Sequence, residues 1–374
     1  MSRIFMGENP SIQALAEAVG CEGYLSFFQL AEKLAGEQRL IHTLPQYRGD
    51  NLLLLNQLVN GEVTPSKPLI NAVVNQREVK TAEEIADMQK GMEITQAVHL
   101  HAMKMTQPGL LEKEVIAEIQ RLVFLEGSEF AYSPIFSVDG HILHNHHYHN
   151  VMQHGQLVLN DSGVYSPNRY ATDITRTFPV SGQFTTQQRE IYEIVLTMQA
   201  EALATIKAGA VYQASHLAAA RAELEGLCQL GLVKGDIDEA LHQGAYGLFF
   251  PHGLGHLIGL DVHDMEGLGE DIVGYDNTIH RSNQFGLSAL RLGKPLRENM
   301  LITVEPGLYF VERLIKQWQS ENKLKECICY DKLRPYLSFG GVRIEDNVQI
   351  TQSSFINLSA EIPKSASDIE SACL

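Results

Sequence analysis

Five side chains of the kind that ligate metal ions are spread over the last two-thirds of this 374-residue sequence, each inside a short motif. Asp161 lies in Leu-Asn-Asp-Ser-Gly (159–163), and Asp173 opens Asp-Ile-Thr-Arg-Thr-Phe (173–178). His256 closes His-Gly-Leu-Gly-His (252–256). Glu305 lies in Thr-Val-Glu-Pro-Gly (303–307), and Glu345 in Gly-Gly-Val-Arg-Ile-Glu-Asp (340–346). Four carboxylates and one imidazole carry a formal charge of minus four, which two divalent cations would cancel. The chemistry this suggests is hydrolysis at a two-metal centre. Oxygen-rich ligands with one imidazole suit Mn²⁺, and Co²⁺, Fe²⁺ or Zn²⁺ could also bind.

Taken singly, each residue has an ordinary explanation. Asp161 and Asp173 flank a turn, where aspartate is common for its own sake. If the flanking segments pair as a hairpin, both carboxylates can point at one spot. Glu305 ends an apolar run, Leu301–Val304, beside the strand-breaking Pro306. That is a good place for a group at a sheet rim, and equally a solvated strand end. Arg343 and Glu345 are two apart and share one strand face, or form a surface ion pair of small worth. His252, His256 and His263 surround Gly253, Gly255 and Gly259, which permit close backbone approach. One of these histidines reads as a ligand and the others as groups beside it. The cluster His141, His144, His146, His147 and His149 reads as polar alternation in a loop, with one of the five functional.

The elements that must position these groups follow from apolar spacing and punctuation. Residues 1–78 carry short helical patterns at Ser11–Val19, Ser26–Ala35, Asn51–Val59 and Pro68–Val74, with a linker at 61–68. Thr81-Ala-Glu-Glu84 is a capping box that opens a long helix to about Met105. A second helix spans about Glu112 to Leu125. Strand-like runs follow at 135–143, 156–162 and 170–178, then helices at about 185–207 and 213–230. The final third again reads as strand, at 255–263 and from 299 to 351. Helix pairs alternating with antiparallel-looking strands predict an α+β domain over about 79–362.

Composition narrows the function classes. The net charge of −16 offers no basic patch to neutralise phosphates, which disfavours nucleic acid as a partner. Met1 to Gly20 has no apolar stretch of signal-peptide type, and no segment is apolar enough to span a bilayer. The five cysteines are odd in number, and Cys327 and Cys329 are too close together for a structural zinc site. Free thiols in a reducing cytoplasm are the expectation.

Together the five motifs resemble the metallopeptidase family with the pita-bread fold, which includes methionine aminopeptidase, aminopeptidase P and prolidase. The resemblance covers residues 79 to about 362, with the motifs in the family's order and at compatible gaps. It implies a pita-bread catalytic domain at 79–374, preceded at 1–78 by part of a creatinase-like N-terminal domain that is longer in the family. By position, Asp161 is the outer ligand of one metal, Asp173 and Glu345 bridge both, and His256 and Glu305 complete the second set. The proline-specific branch fits best. It is similar at Ile142-Leu143-His144, along His252 to Asp264, and at Arg343-Ile-Glu-Asp346. This implies His144, His252, His263 and Arg343 as substrate and transition-state groups, with Glu305 also shuttling a proton.

The resemblance therefore implies an Xaa-Pro aminopeptidase acting on peptides with proline second, as a homodimer. A bond before proline lacks an N–H, so the enzyme must grip its substrate by other groups. Arg291, fourteen residues before Glu305, stands where prolidases bind a dipeptide's carboxylate, so an Xaa-Pro dipeptidase is the alternative. A catalytically inactive binding protein on the same fold is the alternative of another class, though all five ligands are present. Two departures stand out. Asp161 and Asp173 are twelve apart, one more than is usual, and Asn160 replaces an apolar residue.

Overall fold

The computed structural model describes residues 7–374. The part of the signal-peptide reading that falls on residues 1–6 lies outside them. The chain divides into two compact units, the first ending at Val73 and the second spanning Val74–Leu374.

The first unit contains helices α1 (Ile12–Ala18), α2 (Phe27–Ala35) and α3 (Gly49–Val59). Ser26 and Gln29 cap α2 reciprocally. Helix α4 (Lys67–Arg77) begins inside the tract expected to be a linker.

The second unit opens with α5 (Ala82–Met105), and the Thr81–Glu84 capping box is present. Met88, Met92, Val98, Ala102 and Met103 turn inward from this helix. Helix α6 (Glu112–Leu125) buries Val115, Ile119 and Val123 at helical spacing. Three antiparallel strands follow in the order β1 (Ile135–Ser137), β2 (Leu157–Asp161) and β3 (Thr175–Pro179). Helices α7 (Thr186–Thr205) and α8 (Tyr212–Gln229) then pack closely. A Cβ on Gly226 of α8 would sit 2.6 Å from Ile194, so only glycine allows this approach. Strands β4 (Leu301–Val304), β7 (Asp346–Ile350) and β8 (Phe355–Asn357) form a second antiparallel sheet. β5 (Gly307–Tyr309) pairs with β6 (Gly341–Arg343).

Three strand expectations fail. Residues 138–150 are irregular because local hydrogen bonds replace the ladder: the Glu112 carboxylate accepts from Val138 N and Asn150 N. The 255–263 run forms only an isolated bridge, Leu257 to Ile302, because its glycines bring the backbone onto neighbouring groups. Within 299–351 the segment after β5 is helical, with α9 at Glu312–Ser320 anchored by buried Ile315 and Trp318.

Arg176 on β3 ties the sheets together. It is fully buried, and its guanidinium lies 2.8 Å from the Asp346 carboxylate on β7 while donating to Glu345 O and Pro363 O. This fixes β3 against the start of β7, where Asp173, Thr175 and Glu345 converge.

Candidate active site

The β2–β3 hairpin continues past its strands. Ser162 N donates to Ile174 O and Thr172 N to Val164 O, each at 3.0 Å. This register sets Asp161 opposite Thr175, and Gly163 opposite Asp173. Asp161 and Asp173 thus occupy diagonal positions on one face. Gly163 is required there, because a Cβ would lie 1.8 Å from Thr172 O. The turn between the two aspartates includes Arg169, whose φ is +72°. Asn347 holds the backbone of Asp173 from both sides, accepting from its N at 3.1 Å and donating to its O at 2.6 Å. The polar Asn160 beside Asp161 is satisfied in the interior. Its amide donates to His99 Nδ1 at 3.2 Å and accepts from Ser162 Oγ at 3.1 Å.

Tyr132 bridges the aspartates. Its hydroxyl lies 2.6 Å from Asp161 Oδ1 and 2.5 Å from Asp173 Oδ1. The other Asp161 oxygen accepts from Arg343 Nη2 at 2.5 Å. Arg343 also donates to Tyr309 Oη and Thr175 Oγ1, and Thr175 Oγ1 donates to Glu345 Oε2 at 2.8 Å. Glu345 Oε1 is buried and has no partner.

His256 follows the glycine-rich turn. Its backbone N donates to Thr303 Oγ1, and its Nδ1 lies 3.0 Å from Leu257 O. Donation from Nδ1 directs Nε2 at the carboxylates, where it can ligate a cation once deprotonated. That nitrogen stands 3.5 Å from both Asp173 Oδ2 and Glu305 Oε1. Ligand atoms of Asp173, His256 and Glu345 all lie within 4.8 Å of one another. Asp161 and Glu305 face the same cavity but stand outside that tight group.

Crowding of charge marks the site. Burial raises the Glu345 pKa well above the usual range, and Asp173, Glu305 and Asp161 add to the shift. Burial likewise raises Asp161 to about 6 against the pull of Arg343. Glu305 is raised by the same cause, with His256 opposing. Burial alone would raise Asp173 too, but its contact with His256 lowers it. Such a set of carboxylates is unfavourable without cations between them. An orphaned buried carboxylate oxygen, an imidazole nitrogen aimed at two carboxylates and convergent oxygens fit divalent metal ions.

The cavity, of about 770 Å³, is also lined by His144, His252, His263 and Arg291. His252 is held by Gly253 O at 2.8 Å and Tyr309 Oη at 2.9 Å, and burial pulls its pKa down to about 3. His263 packs edge-on to His256, with ring centroids 4.4 Å apart, and its Nδ1 is 3.4 Å from Glu266. His144 lies exposed on the irregular 138–150 segment, beside His146. Of the five clustered histidines only these two line the cavity; His147 and His149 stack on each other elsewhere. Arg291 pairs with Glu266 and Glu270. Tyr132, Thr175, Thr303, Tyr309 and Asn347 were missed in the sequence, where no spacing distinguishes them from other polar residues.

Comparisons with known proteins bear on this arrangement. The model of metallopeptidase family M24 matches residues 86–352. The probable Xaa-Pro aminopeptidase of Talaromyces marneffei is 35% identical over 317 residues, covering 82% of this chain and 66% of that protein. That of Tuber melanosporum is 37% identical over 292 residues, covering 77% and 62%. The chain therefore spans a little under two-thirds of the length of these curated relatives. Among solved structures, a variant of Escherichia coli aminopeptidase P in complex with substrate superposes with a TM-score of 0.81 at 29% identity. The match covers 100% of this chain and 80% of that one. Zn-substituted E. coli aminopeptidase P in complex with product gives 0.80 at 30% identity, with the same coverage.

Proposed function

The chain belongs to metallopeptidase family M24, and on that premise we propose that it is a two-metal exopeptidase releasing the first residue from peptides whose second residue is proline. Its second unit has the family's α+β pita-bread fold. The observation that supports the activity most is the convergence of Asp161, Asp173, His256, Glu305 and Glu345 on one cavity wall. His144, His252, His263 and Arg343 stand around them. The intact ligand set argues against an inactive binding protein.

Asp173 and Glu345 are proposed to bridge two cations, Asp161 to hold one of them, and His256 and Glu305 the other; oxygen-dominated donors favour Mn²⁺. When bound, the pair of cations would acidify a water molecule and polarise the scissile carbonyl. The chain's own residues supply the rest. The buried guanidinium of Arg343 holds Asp161 and, through Thr175, orients Glu345. Tyr132 keeps the two aspartates in register. His263 and His144 present ring nitrogens to the cavity, where they can donate to the substrate carbonyl. Glu305 accepts a proton and returns it to the leaving proline nitrogen. His252, held neutral, fixes the Tyr309 hydroxyl against Arg343.

The test is cleavage by metal-loaded protein of a pair of tripeptides that differ only in proline or alanine at the second position. Release of the first residue from the proline peptide alone supports the proposal; equal cleavage of both refutes the proline requirement.

We propose further that the first unit belongs to a creatinase-like domain. A homodimer is supported by the large apolar side chains this unit exposes, among them Phe28, Leu53 and Tyr47; size-exclusion with light scattering tests it. The five free cysteines support a reducing, cytoplasmic setting, which fractionation tests.

A further inference from the structure

His263 stands edge-on to His256 at the cavity wall, but little holds its own ring. Its side chain is 40% exposed, and its ion-pair partner Glu266 stands at 3.4 Å. The ring is therefore placed chiefly by its backbone. That backbone turns sharply: Met265, buried two residues on, has a left-handed φ of +66°. Such a conformation is strained for a residue other than glycine and persists only where neighbouring contacts hold it.

Asp264, between the two, anchors this turn. Its backbone N donates to Leu257 O at 2.9 Å. Lys80 Nζ donates to Asp264 Oδ2 at 2.9 Å and to Arg77 O at 2.8 Å. Arg77 Nη2 donates to Asp264 Oδ1 at 2.6 Å and to Asp261 Oδ2 at 3.1 Å. Each carboxylate oxygen of Asp264 is thus fixed by a different cation. The Lys80 and Asp264 side chains are each 1% exposed, so salt screens their pairing little. Gly259 is part of the fit, because a Cβ there would lie 2.4 Å from Asp264 Oδ2 and 3.0 Å from Lys80 Cε. Lys80 is itself pinned, its backbone N donating to Asn299 O at 2.9 Å. Between the two cations in sequence, Glu78 binds Lys294 at 2.5 Å and also Arg297. Residues 77–80 therefore grip both the loop of His263 and the segment that follows Arg291.

We infer that Lys80 and Arg77 are positioning residues for the hydrolysis, acting through Asp264 to hold the His263 ring beside His256. Neither lines the cavity, and neither bonds to a proposed metal ligand. They keep the loop where His263 can donate to the substrate carbonyl. A displacement of about 1 Å at such a group can cost on the order of 100-fold in rate. The loss then falls on kcat more than on KM or metal content. This inference rests on the role given to His263 above.

The experiment reads rate and ring position on the same variants. The metal-loaded full chain is assayed with Ala-Pro-Ala. Its histidine rings are followed by nuclear magnetic resonance in isotope-labelled, Zn²⁺-loaded protein, with the His263 signal assigned from His263→Gln. Lys80→Met keeps the aliphatic stem and removes the ammonium. It is expected to lower kcat about 30-fold, to leave KM and metal content within about twofold of native, and to move the His263 signal. Asp264→Asn is expected to give a similar loss. Lys80→Met/Asp264→Asn is expected to lose no more than about twofold beyond either single change, as for residues acting as one unit. Arg77→Gln, at a partly exposed site, is expected to lose about fivefold in kcat and stands in if Lys80→Met unfolds. An unmoved His263 signal or a native kcat in the folded variants overturns the inference, as do losses that multiply in the double variant. A native protein that cleaves no Xaa-Pro peptide removes the Xaa-Pro reading instead, and the ring signal then decides alone whether Lys80 and Arg77 place His263.

Discussion

Arg343 Nη2 stands 2.5 Å from Asp161 Oδ2, and both side chains are buried. The pair joins β6 to the end of β2 and places a permanent positive charge among four carboxylates. Arg343 makes three directed contacts, to Asp161, Tyr309 and Thr175, through different nitrogens. Lysine has one nitrogen and cannot reproduce them. Arg343→Lys is therefore expected to lower kcat/KM on the order of 100-fold with far-ultraviolet circular dichroism unchanged. Activity within a few-fold of native would show that the fork geometry is dispensable.

Tyr132 offers a second, independent handle. Its hydroxyl contacts both aspartates, so Tyr132→Phe removes one donor without emptying space. Divalent-ion affinity measured calorimetrically is expected to fall about 10-fold to 100-fold. Unchanged affinity would reduce Tyr132 to a packing residue.

The motifs announced the site better than they announced its supports. Asp161, Asp173, His256, Glu305 and Glu345 each stand in a short pattern, and their order along the chain was readable. Tyr132 and Asn347 are single polar residues whose roles exist only once a hairpin register and a strand pairing bring them to the aspartates. Helices α5 to α8 were legible because period and capping agree locally, as at Thr81–Glu84. The strand-like runs at 138–143 and 255–263 were misleading. Their polar groups are satisfied by Glu112 and by glycine-permitted backbone contacts instead of a ladder. Arg291 was legible as a candidate carboxylate binder. Its capture by Glu266 and Glu270 depends on folding of the 265–273 segment, which no spacing rule reveals.

The Arg176–Asp346 pair is fully buried, and its loss should be felt in stability. Arg176→Met leaves Asp346 with Lys364, at 2.5 Å, as its remaining cationic partner. Breaking a buried pair from one side costs about 3–5 kcal/mol. Urea unfolding of the second unit is expected to shift by an amount in that range. A shift below about 1 kcal/mol would contradict the role given to this pair.

Glu223 and His216, both buried on α8 without polar partners, titrate in opposite senses. Burial raises Glu223 well above 4.5, so the folded chain keeps a proton that the unfolded chain has lost. Stability then falls as pH rises from about 4.5 upward. Burial lowers His216 from 6.5 to about 3, so the unfolded chain binds a proton the folded one refuses, and stability falls as pH drops through that range. The two slopes, each at most ~1.4 kcal/mol per pH unit, oppose one another where they overlap. Glu223→Gln is expected to flatten the loss of stability on the alkaline side, and His216→Phe the loss on the acid side. Denaturant midpoints measured from about pH 4 to about pH 8 read both. A Glu223→Gln variant with the native alkaline slope would refute the assignment.

The central claim is that five side chains build one two-metal peptidase site. Its most direct test is metal content and peptide cleavage measured on the same preparation of native protein and Asp173→Asn. The account predicts two divalent ions per native chain, and hydrolysis of an Xaa-Pro peptide that chelation abolishes and Mn²⁺ restores. It predicts reduced metal content and activity at least about 1000-fold lower in the variant. Native protein that binds no divalent ion, or an Asp173→Asn variant with full activity, would contradict it.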